Sequence, residues 1–297
     1  MTAEAARKGP SHLKLYSLLG CMVLLWSGNY IVGKLVLREF PAAVLVCVRT
    51  TVAGVLMLPF YLWHAWKKGR TWKIRDVPML VLLGVFGITL NQILFVFGLS
   101  RTSVAHSALL AALTPLLVLS LAALRGLERF TLRKAAGMAI AACGVAALNF
   151  SRSSGAGLDG DVLMFLSATA LTMFTVLGKE SSRIHGNITL NTFAYTGAAV
   201  LLLPATVHVA RTTPLFRLSW GAWAGIFYMA AFSSVACYLI YYYALKYLPA
   251  SRVSAMSYLQ PLLATVMAVP VLGEEITAPL LAGGILILAG VYVTERT

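Results

Sequence analysis

The chain has 297 residues, 59% of them hydrophobic and 11% charged, with a mean hydropathy of +0.82. Soluble domains carry about 25% charged residues, so this composition excludes a surface solvated mainly by water and points to lipid as the solvent. A net charge of +14 would suit a nucleic-acid binder, but the lysines and arginines form no face. They sit in short runs between apolar stretches, as they do in cytoplasmic membrane loops, so no nucleic-acid partner is expected.

Ten stretches are apolar over roughly the 20 residues a spanning helix needs. They lie at about 14–34, 41–63, 77–99, 103–124, 133–149, 161–179, 189–210, 219–243, 250–272 and 277–293. Arg7, Lys8 and Lys14 precede the first run, which resembles a signal peptide, but the run to Ile31 is too long for a signal core and no small-residue cleavage site follows. It is read as a retained first span. Connections are short, the longest polar ones falling near 64–76 and 150–160, and nothing is left for a soluble domain. Cys21, Cys47, Cys143 and Cys237 lie inside apolar stretches without metal-ligand spacing and read as free buried thiols.

The chain repeats itself. Leu113-Thr114-Pro115-Leu116-Leu117 is followed by Glu128, Thr131, Ala136-Gly137 and Gly144-Val145. The pattern returns 146 residues later as Leu259-Gln260-Pro261-Leu262-Leu263, then Glu274, Thr277, Ala282-Gly283 and Gly290-Val291. Upstream, at an offset of 145, Gly33-Lys34 matches Gly178-Lys179, Arg38 matches Arg183, and Val55-Leu56, Leu58 and Pro59 match Val200-Leu201, Leu203 and Pro204. A fixed offset over so long a run is a duplication, with one unit at 14–149 and the other at 161–293. Five spans per unit is an odd number, so the second unit must enter the membrane in the opposite sense, a design typical of secondary transporters. The expected fold is therefore an all-α integral membrane protein of ten transmembrane helices in two inverted five-helix repeats. The N-terminus and the loops after even-numbered spans hold 17 lysines and arginines and the other side 6, which places both termini in the cytoplasm.

Pro115 and Pro261 are expected near the middle of spans 4 and 9, where proline cannot donate to the carbonyls of Ala111 and Ser257. Within lipid those carbonyls need protein or a water-filled cavity. The two prolines are read as helix hinges in the wall of a central cavity, rather than packing kinks. Polar side chains cluster at the same depth: Ser103, Ser107, Ala111 and Thr114 on span 4, and Ser251, Ser254, Ser257, Tyr258 and Gln260 on span 9. Span 8 adds Ser234, Tyr238 and Tyr241, span 3 adds Asn91 and Gln92, and span 1 has Trp26, Asn29, Tyr30 and Gly33 on one face. Uncharged amides, hydroxyls and aromatic rings suit a small ligand with polar and apolar parts; interhelical hydrogen bonding is the plainer reading of any single serine or threonine. The candidate substrate-binding residues are Trp26, Asn29, Tyr30, Asn91, Gln92, Ser107, Thr114, Tyr238, Tyr241, Ser257, Tyr258 and Gln260.

Arg49 is the one cation well inside a span, and hence a charge-site candidate. It lies nearer one end of span 2, where snorkelling is open to it, and a structural tie between helix ends is the preferred reading over an anion site. His106 reads as a packed or interfacial residue rather than a proton sensor. All ten acidic residues sit at span ends, in loops or in the termini, which argues against coupling through a buried carboxylate. Glu128 and Glu274 close spans 4 and 9 and read as loop anchors. Gly137, Ala141 and Gly144, with Gly283 and Gly290 in the second copy, form small-residue strips that let helices approach closely, as scaffold or dimer helices.

The run Trp26-Ser27-Gly28-Asn29-Tyr30 ending in Gly33-Lys34, the Pro41 to Arg49 spacing, and the Pro…Glu-x-x-Thr…Gly…Gly-Val signature in both halves resemble the EamA family, the bacterial branch of the drug/metabolite transporter superfamily. The resemblance covers nearly the whole chain. It implies a ten-helix carrier of the inner membrane, with spans 1–4 and 6–9 around a central pathway and spans 5 and 10 outside, exporting amino acids and related metabolites or carrying sugars and nucleotide sugars. The second copy departs from the pattern where Leu171-Thr172-Met173-Phe174 replaces Trp26-Ser27-Gly28-Asn29, so the two halves of the cavity are chemically unequal. A secondary carrier exporting a small amphipathic metabolite such as an amino acid is the leading expectation, with a lipid-headgroup flippase or a multidrug exporter as alternatives. No metal-ligand cluster, nucleophile–base pair or phosphate loop is legible, so neither an enzyme nor a cofactor is expected. The expected partners are a small-molecule substrate, the bilayer and a second copy of the chain.

Overall fold

The computed structural model describes residues 10–101, 104–127, 129, 131–149, 158–215, 218–272 and 278–295, and among them it is built from helices with no strand. In chain order these are α1 (His12–Val36), α2 (Ala42–Lys68), α3 (Ile74–Arg101), α4 (Val104–Ala111), α5 (Thr114–Leu124), α6 (Leu132–Asn149) and α7 (Leu158–His185). The chain continues as α8 (Asn187–Leu201), α9 (Leu203–Thr212), α10 (Trp220–Leu245), α11 (Ala250–Ala255), α12 (Leu259–Leu272) and α13 (Ala278–Glu295). Helices α1, α2, α3, α7 and α10 are each long and apolar enough to cross a membrane, and α8 with α9 makes a sixth span if their 53° bend is a break within one span. Helices α6 and α13 have 18 residues each, about 27 Å at 1.5 Å per residue, close to the ~30 Å of a hydrocarbon core.

Helix limits follow local chemistry. Ser11 caps α1, its hydroxyl accepting from Lys14 N at 3.3 Å, and Ser219 caps α10 by accepting from Ala222 N at 3.0 Å. Glu39, in the turn after α1, accepts from the N–H and hydroxyl of that same Ser219 at 3.1 and 2.7 Å, tying the two repeats together at one end. Gly186, at φ +87°, makes the left-handed turn between α7 and α8.

Three stretches expected to be continuous are not; the seventh is bent by 53° between α8 and α9, and the fourth and ninth are interrupted. The fourth is divided into α4 and α5 by a turn at Ala112–Leu113, in which Leu113 N donates to Leu110 O at 3.1 Å. The ninth is divided into α11 and α12 by a 3-10 turn at Met256–Tyr258. Pro115 therefore sits in the first turn of α5 and Pro261 in the first turn of α12, not in the middle of a helix. There the missing N–H costs nothing, because first-turn donors have no intrahelical partner. Pro204 likewise opens α9 after the 53° bend, while its repeat equivalent Pro59 lies inside the unbroken α2.

Two turns of π-helix interrupt α3 and α10, at Val85–Leu90 and Met229–Ala236. They fall at equivalent places in the two repeats, immediately before Asn91 and Cys237, which are 146 residues apart. Packing is matched in the same way. Helix α1 lies against α10 and α12, and its copy α7 lies against α3 and α5; α2 packs on α8, and α6 on α13. Such reciprocal pairing is what two like units related by a two-fold axis require. Leu24, Val55, Val200, Leu281, Ile285 and Leu288 are exposed on the outside, where lipid would meet them. The four cysteines are unbonded, but only Cys47 and Cys237 are buried; Cys21 and Cys143 face outward, which corrects the expectation for those two.

The small-residue strips are spent inside the chain. A Cβ on Gly290 would stand 2.5 Å from Gly137 O and 2.5 Å from Ala141 N, and one on Gly144 2.8 Å from Gly283 O, so α6 and α13 meet backbone to backbone. Glu128, Glu274 and Ser103 lie outside the described residues, and His106 lies on α4 with its side chain outside the described set. Gly290→Leu should cost about 1–3 kcal/mol through overpacking, read as a lowered thermal unfolding temperature in detergent, whereas Leu288→Ala on the outer face of the same helix should change it little.

Candidate functional site

A cavity of about 80 Å³ lies where the two repeats meet. Helix α1 contributes Trp26, Asn29 and Tyr30, which share one face at helical spacing. Arg49 comes from α2; Asn91, Gln92 and Phe95 from α3; Ala111 and Thr114 from either side of the break between α4 and α5. Helix α7 adds Met164, Ser167, Ala168 and Leu171, α10 adds Tyr238 and Tyr241, the break before α12 adds Ser257, and the first turn of α12 adds Gln260. Pockets that hold drug-sized ligands span roughly 300–1,000 Å³, so this cavity is smaller than that range. No carboxylate lines it among the described residues, and Arg49 is its one charged lining group.

Several lining groups are held firmly. Asn91 Nδ2 donates to Ser167 O at 3.1 Å and to Ser167 Oγ at 3.0 Å, Ser167 Oγ donates back to Asn91 O at 3.1 Å, and the Tyr238 hydroxyl donates to Asn91 Oδ1 at 3.4 Å. Asn91 is thus saturated and braces α3 to α7 and α10. Trp26 Nε1 donates to Ser233 O at 2.9 Å, a carbonyl of the π segment in α10, and its ring packs on Tyr238 and Tyr241 at centroid distances of 5.7 and 5.6 Å. A widened turn misaligns its own carbonyls, and the indole supplies one with a donor. Tyr241 pairs its hydroxyl with Thr175 at 3.0 Å, and Tyr30 stacks edge-on against Phe95 at 5.4 Å. Ser27 joins α1 to the ninth stretch, donating to Val23 O at 2.7 Å and Gln260 O at 3.3 Å.

Other lining groups are buried without partners. Asn29 Oδ1, Gln92 Oε1 and Arg49 Nη1 have no hydrogen bond among the described residues. Arg49 is 3% exposed, and its Nε donates to Ser234 Oγ at 3.2 Å, while Ser234 itself donates to Met229 O at 2.9 Å. The guanidinium therefore points inward and does not snorkel; its hydrogen bond to Ser234 crosses from α2 to the π segment of α10.

The structure gathers ten of the twelve residues singled out from sequence around one cavity, and leaves out two. Ser107, one turn before Ala111, is buried outside it, its hydroxyl unpaired among the described residues. Tyr258 is buried against Ala112, Leu119, Met138 and Ile287. The 3-10 turn advances about 120° per residue instead of 100°, which keeps Ser257 and Gln260 toward the cavity and swings Tyr258 behind them. Ser251 and Ser254 are buried outside it too; the Ser254 hydroxyl donates to its own helix at Ala250 O. Sequence reasoning missed Phe95, Met164, Ser167, Ala168 and Leu171. Their signal was present: 164, 167, 168 and 171 mark one face of α7, and Phe95 lies four residues after Asn91. No group of three potential metal ligands occurs among the described residues.

Comparison with known proteins places this geometry. A family model described as the EamA-like transporter family matches residues 13–150 and again 158–296. An uncharacterized transporter of Archaeoglobus fulgidus is 27% identical over 95% of this chain and 97% of its own length. An uncharacterized transporter of Bacillus subtilis is 25% identical over 96% of this chain and 94% of its own. A protein of Streptantibioticus cattleyicolor described as a probable terminal-alkyne amino-acid exporter is 27% identical over 92% of this chain and 91% of its own. One solved crystal structure superposes with a TM-score of 0.76 over 96% of this chain and 98% of its own at 18% identity, which shows a shared fold. Trp26→Phe keeps the ring and removes the donor to Ser233 O. Deuterium exchange should rise at Met229–Ala236 and stay unchanged at Val85–Leu90, with a stability loss near the ~0.6 kcal/mol typical of such membrane hydrogen bonds.

Proposed function

The chain belongs to the EamA-like transporter family and is a multi-pass membrane transporter, and we propose that it is a secondary carrier exporting a small amphipathic metabolite, such as an amino acid, by alternating access through the central cavity. The observation that carries this reading is the lining itself. Amide groups of Asn29, Gln92 and Gln260 stand beside the rings of Trp26, Tyr30, Tyr238 and Tyr241 and the apolar Met164 and Leu171, at the junction of the two repeats. That mixture suits a ligand with a polar head and an apolar body. The amino-acid exporter among the relatives supports the same class.

In this reading the chain crosses an inner membrane ten times as two inverted five-helix units, with both termini in the cytoplasm. The broken stretches α4–α5 and α11–α12 act as the fourth and ninth spans. Their breaks stand beside the cavity, and Pro115 and Pro261 let the half-helices swing without tearing a continuous ladder of hydrogen bonds. Helices α6 and α13, locked to each other, form the support against which the rest moves.

The test is counterflow in proteoliposomes. Vesicles preloaded with amino acids, sugars, nucleotides or lipophilic cations are diluted into a trace of the same labelled compound. One amphipathic metabolite should accumulate, and Gln260→Ala or Asn29→Ala should reduce its uptake at least tenfold. Silence across the soluble panel with folded protein, together with movement of a labelled lipid, would replace this reading with a flippase.

A further inference from the structure

The cavity holds a cation that the protein leaves unmatched. Arg49 is buried, its Nη1 has no partner, and its Nε meets only the neutral Ser234 hydroxyl. Among the described residues ion pairs join only Arg75 with Asp76 and Arg101 with Asp159, and no carboxylate lines the cavity. An isolated buried charge is strongly unfavourable unless something pairs with it. Here the guanidinium lies on the cavity wall with Nη1 buried and without a hydrogen bond among the described residues.

We infer that Arg49 is the anion subsite of the cavity and that the transported molecule carries a single carboxylate, seated against the guanidinium. This rests on the carrier reading above and narrows its substrate class. One guanidinium pairs with one carboxylate, whereas a phosphate dianion brings a second negative charge that only hydroxyls and amides would meet. A lone ammonium or a lipophilic cation finds no opposite charge in the lining and meets the guanidinium instead. The unpaired oxygens of Asn29 and Gln92 accept from donors elsewhere on the ligand, and an α-amino group is such a donor. The rings of Trp26, Tyr30 and Tyr241 receive its apolar part. The same charge explains why the chain needs no buried carboxylate of its own: the counter-ion arrives with the cargo.

The experiment compares acids with analogues that lack only the charge. Counterflow is measured for L-leucine and L-phenylalanine, for their amides, and for phenethylamine, with the wild-type protein and with Arg49→Lys and Arg49→Gln. The acids should accumulate and the amides and phenethylamine should lag by about thirtyfold or more, the loss that follows when one partner of a buried charge pair is removed. Arg49→Lys should raise KM for the acid, because a point charge replaces a planar fork, and Arg49→Gln should abolish the difference between acid and amide. Equal counterflow of acid and amide in the wild-type protein overturns the inference and leaves the carrier reading standing. So does an unchanged KM in Arg49→Lys accompanied only by less folded protein, which is the mark of a strut. Movement of phenethylamine alone overturns it in favour of cationic cargo. Silence of every soluble compound removes the carrier reading and the inference together.

Discussion

Within lipid, water cannot pair with a buried polar group, so the protein must supply every partner itself. That constraint explains most of the side-chain bonding here. Hydroxyls of Ser27, Thr172, Thr192 and Ser254 turn back on carbonyls of their own helices. The π segment of α10 takes a donor from Trp26, and Asn91 is saturated by Ser167 and Tyr238. Against that background the unpaired groups on the cavity wall stand out. Asn29, Gln92 and Arg49 each keep an atom there without a hydrogen bond among the described residues; Thr50, Thr89, Ser107, Asn191, Tyr195 and Tyr258 do so away from the cavity, so it is their place on the cavity wall that sets the first three apart.

Duplication supplies the frame and divergence supplies the chemistry. Matched π segments, matched helix breaks and matched helix pairs recur in both units. The residues placed in that frame do not match. Trp26, which donates to α10, has Leu171 as its equivalent, and leucine has no donor to offer. Asn29, which faces the cavity, has Phe174, which is fully buried and packs its ring against the face of Gly87 in the first π segment. A symmetric scaffold therefore encloses an asymmetric cavity, with its one charge from the first repeat alone.

Much of this was legible in the chain. The repeat, the apolar stretches and the polar positions Asn29, Asn91, Gln92 and Gln260 are written in residue type and spacing, because lipid allows few polar residues without a reason. The breaks and π turns were not. Pro115 and Pro261 announced an interruption, but whether proline kinks a helix or opens a new one depends on the turn before it, and Ala112-Leu113 and Met256-Ser257-Tyr258 carry no turn signature. That change of phase is why Tyr258 was assigned to the wrong face. For Arg49, the distance from the helix end suggested escape to the interface, whereas the side chain is buried on the cavity wall with its Nε donating to Ser234 Oγ. The strip on α6 and α13 was recognised as a close-contact surface; which partner it met required the fold.

The central claim is that one cavity, shared by both repeats, opens to each side of the membrane in turn. Its most direct measurement uses a protein with Cys21, Cys47, Cys143 and Cys237 replaced by alanine and with Ser257→Cys as the single thiol in the cavity wall. A membrane-impermeant thiol reagent is applied from either face of oriented vesicles. The account predicts labelling from both faces, slowed on both by a transported substrate. Labelling from one face alone, with or without substrate, would contradict it.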